Sequence, residues 1–194
     1  SISECLQLEE EAKKQGVWVQ VGHMKRFDTG IEYAQSFIQE KLGEILAIKA
    51  WYGDNTHRYT STDNVQPKPI HSKSAVKPKV DPKTDLERYY MMAHGSHLLD
   101  TAQYLGGKIG RVSAQYRQVF NAYCWFVAVE FESGAMGHLD LTIKIRGDWH
   151  EGFQVYGEQG TVFAKTDNPW FYKSSEVECY YEPEQQYLSL IHIS

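Results

Sequence analysis

An α+β fold, with a mostly antiparallel open-faced sheet and helices on one face, follows from three features of the sequence. Two stretches with helical apolar spacing, at Gly30–Gly43 and Ser96–Leu105, precede the strand-rich part of the chain. Beyond Leu105 the pattern is almost entirely alternating, β-branched and aromatic. Short turns, E-S-G-A at Glu132–Ala135 and G-E-Q-G at Gly157–Gly160, join neighbouring strands as hairpins. Together these predict one sheet covered on one side by helices from the first half.

The bulk properties agree with a single domain. The chain has 194 residues, 42% hydrophobic and 13% aromatic, which is enough to bury a core and excludes general disorder. Its net charge of −5 is dispersed, so nothing suggests a nucleic-acid partner. The longest strongly apolar run, Cys124 to Phe131, is far too short to span a bilayer. Cys5, Cys124 and Cys179 are odd in number and widely spaced, which suits reduced thiols and a cytoplasmic location.

Taken in order, residues 1–16 read as a helix, with Cys5, Leu8 and Ala12 on one stripe and Gly16 placed to end it. Val17–Gly22 (VWVQVG) reads as a short strand and HMKRFDTG as a loop. The next helix turns Ile31, Ala34, Ile38 and Leu42 inward and stops at Gly43. Glu44–Asp54 is a strand, apolar on both faces. Residues 55–88 form a long loop with four of the six prolines. Five lysines stand against one aspartate between Pro67 and Lys83, a composition that fits a lid as readily as a solvated loop. Strands then follow at RVSAQYRQV, CWFVAVEFE, AMGHLDLTIKI, GFQVYG and TVFAK. Apolar residues on the outer positions of several strands predict that the open face meets a second copy of the chain. The domain is therefore taken as 17–187. Residues 188–194, LSLIHIS, resemble a translated sequencing adapter and are set apart from the fold.

The chemistry concentrates in YYMMAHGSHLLDTAQYLGG, residues 89–107. Ser96 reads as an N-cap, with Leu98, Ala102 and Leu105 as the buried stripe. His97 then falls in the first turn, where the helix dipole would favour a neutral, base-competent imidazole. H-x-x-H alone supplies two ligands where a metal site needs three or four, so no metal is expected. Two ordinary polar residues at a helix start is the plain alternative. Arg26 and Asp28 could likewise be no more than a loop ion pair. His138 and Asp140 share one side of their strand, facing either a cleft or solvent. Tyr89, Tyr90 and Trp51 suit stacking on sugar C–H groups but suit core packing better. GGKIG at Gly106–Gly110 follows a helix and lacks the G-x-G-x-x-G spacing, so it is a helix-ending turn and not a phosphate cradle.

Four segments in order, VGHMKRFDTG, LGEILAIKAW, HGSHLLDTAQYLGG and HEGFQVYGEQGTV, resemble the C-terminal domain of the Gfo/Idh/MocA oxidoreductases. The resemblance covers Ser1 to about Tyr181. It implies a nicotinamide-dependent dehydrogenase of sugars, inositols or related polyols that uses NAD or NADP. In the family the helix matching residues 2–15 follows a Glu-Lys-Pro segment and a Rossmann domain, so residues 1–16 would link to such a domain and this chain alone would be inactive. The resemblance makes His97 the residue that handles the proton of the reacting hydroxyl. Lys25, Arg26 and Phe27 would line the cleft, and Asp100 would orient the network. Many family members carry an aspartate four residues before the histidine, where this chain has Ala93. His94 would replace that polar group or simply line the pocket. His150, beside Trp149 and Glu151, is a further candidate for the substrate pocket. Substrate-binding expectations are therefore Lys25, Arg26, His94, Asp100 and His150, with a sugar or cyclic polyol, inositol first, as ligand. Two relatives in function remain open: a non-catalytic sugar sensor, favoured by Ala93, and an NAD-dependent glycoside hydrolase of the same architecture.

Overall fold

A computed structural model describes residues 2–55, 72–74, 76, 80–168 and 173–190. Helix α1 (Ile2–Gln15) comes first, followed by an extended stretch and a 3-10 turn at Met24–Phe27. Helix α2 (Thr29–Lys41) and the central strand β1 (Ile45–Asn55) follow. Helix α3 (Leu86–Tyr90) runs through a π turn (Met91–Gly95) into α4 (Ser96–Gly106). The remaining chain is strands β2 (Ile109–Val119), β3 (Ala122–Phe131), β4 (Met136–Ile145), β5 (His150–Gly157), β6 (Gly160–Thr166), β7 (Glu176–Tyr181) and β8 (Gln186–Leu190).

The strands form one eight-stranded sheet in the order β2-β3-β4-β1-β5-β6-β7-β8. All neighbours are antiparallel except β1 and β4, which run parallel. The expected hairpins at Glu132–Ala135 and Gly157–Gly160 are present as the β3–β4 and β5–β6 connections. Helices α2 and α4 lie on one face. Their apolar stripes, Ile31, Ala34, Phe37, Ile38 and Leu42 with Leu98, Ala102 and Leu105, meet Ile48, Ala50, Leu139, Leu141, Phe153 and Val155 of the sheet. Each large side chain buried there contributes about 1.5–3 kcal/mol, which is why an amphipathic pattern of this kind settles the layer order. Two glycines make the fit possible. Gly43 adopts φ +73° where α2 turns into β1. At Gly106 an added Cβ would stand 2.3 Å from Ile48 Cδ1, so glycine lets the end of α4 rest on the sheet without displacing the Ile48 side chain.

Four expectations need correction. Val17–Gly22 makes no strand ladder, and Trp18 is 82% exposed. A strand needs a partner edge to pair its backbone, and none of the described residues offers one there. Helix α1 likewise buries no residue. Ser96 is not an N-cap: it has helical angles, and the helical run begins at Asp85, whose carboxylate accepts from the Arg88 amide at 3.0 Å. Strands β7 and β8 were not anticipated. Leu188 packs at the margin of the core and residues 188–190 belong to β8, because edge pairing uses backbone groups that any sequence carries. The 55–88 loop, with its lid expectation, lies largely outside the described residues. In its described part, Asp81 caps a short 3-10 turn at Pro82–Thr84.

Candidate active site

The alternation of the central strands decides which polar groups reach the helix-covered face. On β1, Ile48, Ala50, Tyr52 and Asp54 point under the helices, and on β5 Glu151, Phe153 and Val155 do the same. Tyr52 lies opposite Glu151 in the antiparallel register. The Met24–Phe27 turn and α4 close over this end of the face, and two ion pairs connect the layers.

The first pair is buried on both sides. Lys25 Nζ donates to Glu151 Oε1, with side-chain exposures of only 7% each. The ammonium also lies 4.9 Å from the Tyr52 ring centroid and 6.0 Å from that of Trp149, an aromatic seat for a dehydrated cation. Burial pushes the Glu151 carboxyl above the usual carboxylate range, against the pull of Lys25.

The second pair is a fork. Arg26 Nε and an Nη donate to the two Asp100 oxygens at 2.9 and 2.7 Å. Asp100 is buried, whereas the Arg26 side chain is 43% exposed and lies 5.1 Å from the Tyr104 ring. The loop ion pair of Arg26 with Asp28 does not form. Asp28 instead caps α2 through the Ile31 amide and accepts from the Ser175 amide at 3.0 Å, tying the helix start to the chain before β7.

His97 stands one helical turn before Asp100, half-buried, with its Nδ1 enclosed and without a hydrogen-bond partner among the described residues. The ring of His23 meets it edge-on at 6.3 Å, and His23 Nδ1 is 3.7 Å from Asp100 Oδ2. Burial pushes the His97 imidazole below its ordinary pKa, with Lys25 and then His23 adding to the effect and Asp100 opposing it. The shift runs in the direction expected of a base-competent imidazole, but for another reason than the helix dipole. His97 lies inside a continuous helical run, so no helix N-terminus acts on it; burial and the nearby Lys25 ammonium do.

His94 faces the sheet, 7% exposed, in the π turn. Its Nδ1 is 3.2 Å from the Tyr52 hydroxyl and its Nε2 is 3.6 Å from Asp54 Oδ2. The π turn adds one residue to the helical repeat, a device common at functional sites, and it is what turns His94 towards β1 while His97 faces the Met24–Phe27 turn. Ala93 is half-buried beside them. The chain thus supplies buried polar groups from β1, Tyr52 and Asp54.

The structure brings together His97, Asp100, Arg26, Lys25 and His94. It does not bring His150. That residue sits on the opposite, open face of the sheet, its ring stacked 5.7 Å from Trp51. Alternation along β5 explains the correction: with Phe153 and Val155 inward, Glu151 is inward and His150 outward. His138 and Asp140 also lie on the open face. Sequence reasoning passed over His23, Tyr52, Asp54 and the inward Glu151. The strand period would have found Tyr52, Asp54 and Glu151, whereas nothing local marks His23.

A family model described as the GFO/IDH/MocA C-terminal domain matches residues 32–163, which include His94, His97, Asp100 and Glu151. The chain belongs to the GFO/IDH/MocA family. Among solved structures, an oxidoreductase from Desulfitobacterium hafniense superimposes with a TM-score of 0.73 at 18% identity, over 100% of this chain and 55% of that one. An oxidoreductase from Agrobacterium radiobacter, in complex with NAD+, L-tartaric acid and magnesium, gives 0.70 at 14% identity, over 98% and 50%. A levoglucosan dehydrogenase in complex with NADH and L-sorbose gives 0.65 at 15% identity, over 91% and 47%. This chain therefore spans about half the length of the solved relatives it resembles. A search of curated proteins finds no match.

The Gly106–Gly110 segment of this GFO/IDH/MocA domain is not a dinucleotide cradle. Gly106 and Gly107 end α4, with Gly107 at φ 88°, and lead into β2. This is a helix-to-strand turn, whereas a pyrophosphate cradle needs a strand-to-helix turn with amides at a helix N-terminus. No helix among the described residues is long and apolar enough to cross a membrane.

Proposed function

We infer that the chain is the substrate-side domain of a longer NAD- or NADP-dependent oxidoreductase acting on a sugar or a cyclic polyol, inositol-like in its hydroxyl pattern. The observation that carries this reading is His97. It is half-buried, its pKa is lowered by burial and by Lys25, and one ring nitrogen has no partner among the described residues. An imidazole of that kind can accept the proton of a bound hydroxyl. The half-exposed guanidinium of Arg26, fixed by Asp100, supplies donors for neighbouring hydroxyls. Lys25 acts through its charge, since Glu151 already occupies it, and His94 acts by fixing Tyr52 beneath Lys25. The hydride acceptor would be a nicotinamide held by residues outside this chain; the chemistry assigned to these residues ends at orientation and the proton. Aromatic and apolar side chains on the open sheet face support association of copies through that face.

The test uses the full-length protein with NAD+ and NADP+ on a panel of polyols and sugars. Stoichiometric NADH or NADPH is expected, with His97→Ala lowering kcat by about 10²–10⁴-fold. Ala93, in place of the family aspartate, favours a sensor as the second reading. Sugar binding without turnover would establish that reading, and aglycone release without net NAD reduction would establish the hydrolase.

A further inference from the structure

His23 belongs to the His97 cluster, yet the chemistry assigned to His97 and Arg26 leaves it without a role. It opens the Met24–Phe27 turn, where its carbonyl accepts from the Arg26 amide at 3.3 Å, so the turn fixes where the ring can stand. The side chain is 28% exposed, and its chain neighbours Gly22 and Met24 are exposed. Its ring meets that of His97 edge-on, with centroids 6.3 Å apart. One imidazole thus adjoins both His97 and solvent.

A proton taken up by His97 has to leave before the next turnover. The charged groups around it are poor acceptors. Lys25 and Arg26 already carry their protons, and Lys25 holds Glu151. Both Asp100 oxygens accept from Arg26. His23 is different. Asp100 Oδ2 lies 3.7 Å from its Nδ1, which favours a proton on that nitrogen and leaves Nε2 as a base. The same carboxylate stabilises the imidazolium formed when Nε2 takes a second proton. His97 in turn releases a proton readily, because burial and then Lys25 lower its pKa.

We propose that His23 is the proton outlet of the site: a ring N–H bond of the His97 imidazolium breaks, the proton passes to His23 Nε2 directly or through one water, and His23 gives it to solvent. The inference rests on the dehydrogenase reading, in which the hydroxyl of a sugar or polyol supplies that proton and the hydride goes to a nicotinamide held outside this chain. His23 does not touch the substrate in this scheme. It returns His97 to its proton-accepting state. The plain alternative is a prop for Asp100.

His23→Gln in the full-length protein keeps a polar side chain beside Asp100 but cannot carry the proton on. With NAD+ or NADP+ and a polyol or sugar that the unaltered protein oxidises, it should lower kcat at least about tenfold and leave KM within about twofold. Activity should return as imidazole is added to the buffer. A lost prop for Asp100 would not respond to imidazole, because Arg26 would stay misplaced. A second readout needs no turnover. In an NMR titration of the imidazole C–H resonances, His23→Gln should raise the His97 midpoint by removing a neighbouring cation. Unchanged kcat in the variant overturns the proposal. So does a loss that imidazole leaves in place, or a His97 midpoint that does not move. If the unaltered protein oxidises nothing on the panel, the dehydrogenase reading falls and takes the outlet with it. Turnover that is indifferent to His23→Gln removes the outlet alone.

Discussion

Lys25 and Arg26 are neighbours in sequence, and each meets a carboxylate far along the chain, yet their surroundings differ sharply. The Lys25–Glu151 pair is enclosed between the Met24–Phe27 turn, Tyr52 and Trp149, with both side chains at 7% exposure. The Arg26–Asp100 pair is a two-bond fork whose guanidinium side is 43% open to solvent. A charge dehydrated in both partners is committed to its pair, because separating it leaves an uncompensated ion in a low-dielectric interior. A half-exposed arginine keeps donors free for a ligand at little cost. The buried pair therefore contributes to the field in which His97 titrates, and the open pair is the one whose donors reach solvent.

The largest loss of stability comes from removing one member of the buried pair. Glu151→Gln should destabilise the chain by about 3–5 kcal/mol in urea unfolding. The apolar double variant Lys25→Met/Glu151→Leu should recover most of that loss, since neither charge is then left alone. Arg26→Ala should cost no more than about 1 kcal/mol, the ordinary worth of a partly exposed ion pair. If the two losses prove equal, the distinction between the pairs fails.

His97 sharpens the contrast through its titration, followed by the imidazole C–H resonances in NMR. Its midpoint should fall below the ordinary 6.5. Lys25→Met should raise it by removing a cation, and Asp100→Asn should lower it further by removing an anion. The sign for stability follows. With the folded pKa depressed, the unfolded chain binds more protons as pH falls through 6.5, so the folded state loses stability there until the lower folded pKa is passed. His97→Gln should flatten that slope. The smallest effect belongs to the open face: His150→Ala should change stability by less than about 0.5 kcal/mol. It should also leave the His97 midpoint where it was.

Much of this was legible in the chain itself. Helical spacing at Ile31, Ala34, Ile38 and Leu42 named the buried stripe of α2, and alternation from Arg111 to Lys165 named five strands. These are local, periodic signals tied to burial on one face. The histidines of the H-x-x-H pair were visible for the same reason, lying next to a strong amphipathic run. The errors lie where the partner is distant. Val17–Gly22 has strand-forming residues but no neighbouring edge among the described residues, and β8 has a partner that its own residues do not announce.

By itself, then, the sequence determined the α+β layering, the helix stripes and the hairpins, because each is encoded within a dozen neighbouring residues. Tertiary structure alone decided the pairing of Lys25 with Glu151 and of Arg26 with Asp100, across 126 and 74 residues. It also decided that the helical run starts at Asp85 and takes a π turn before Ser96, and that Glu151 rather than His150 faces the site. The physical reason is common to all three. Which charge is desolvated, and by which partner, depends on how the layers meet, and no local pattern carries that information.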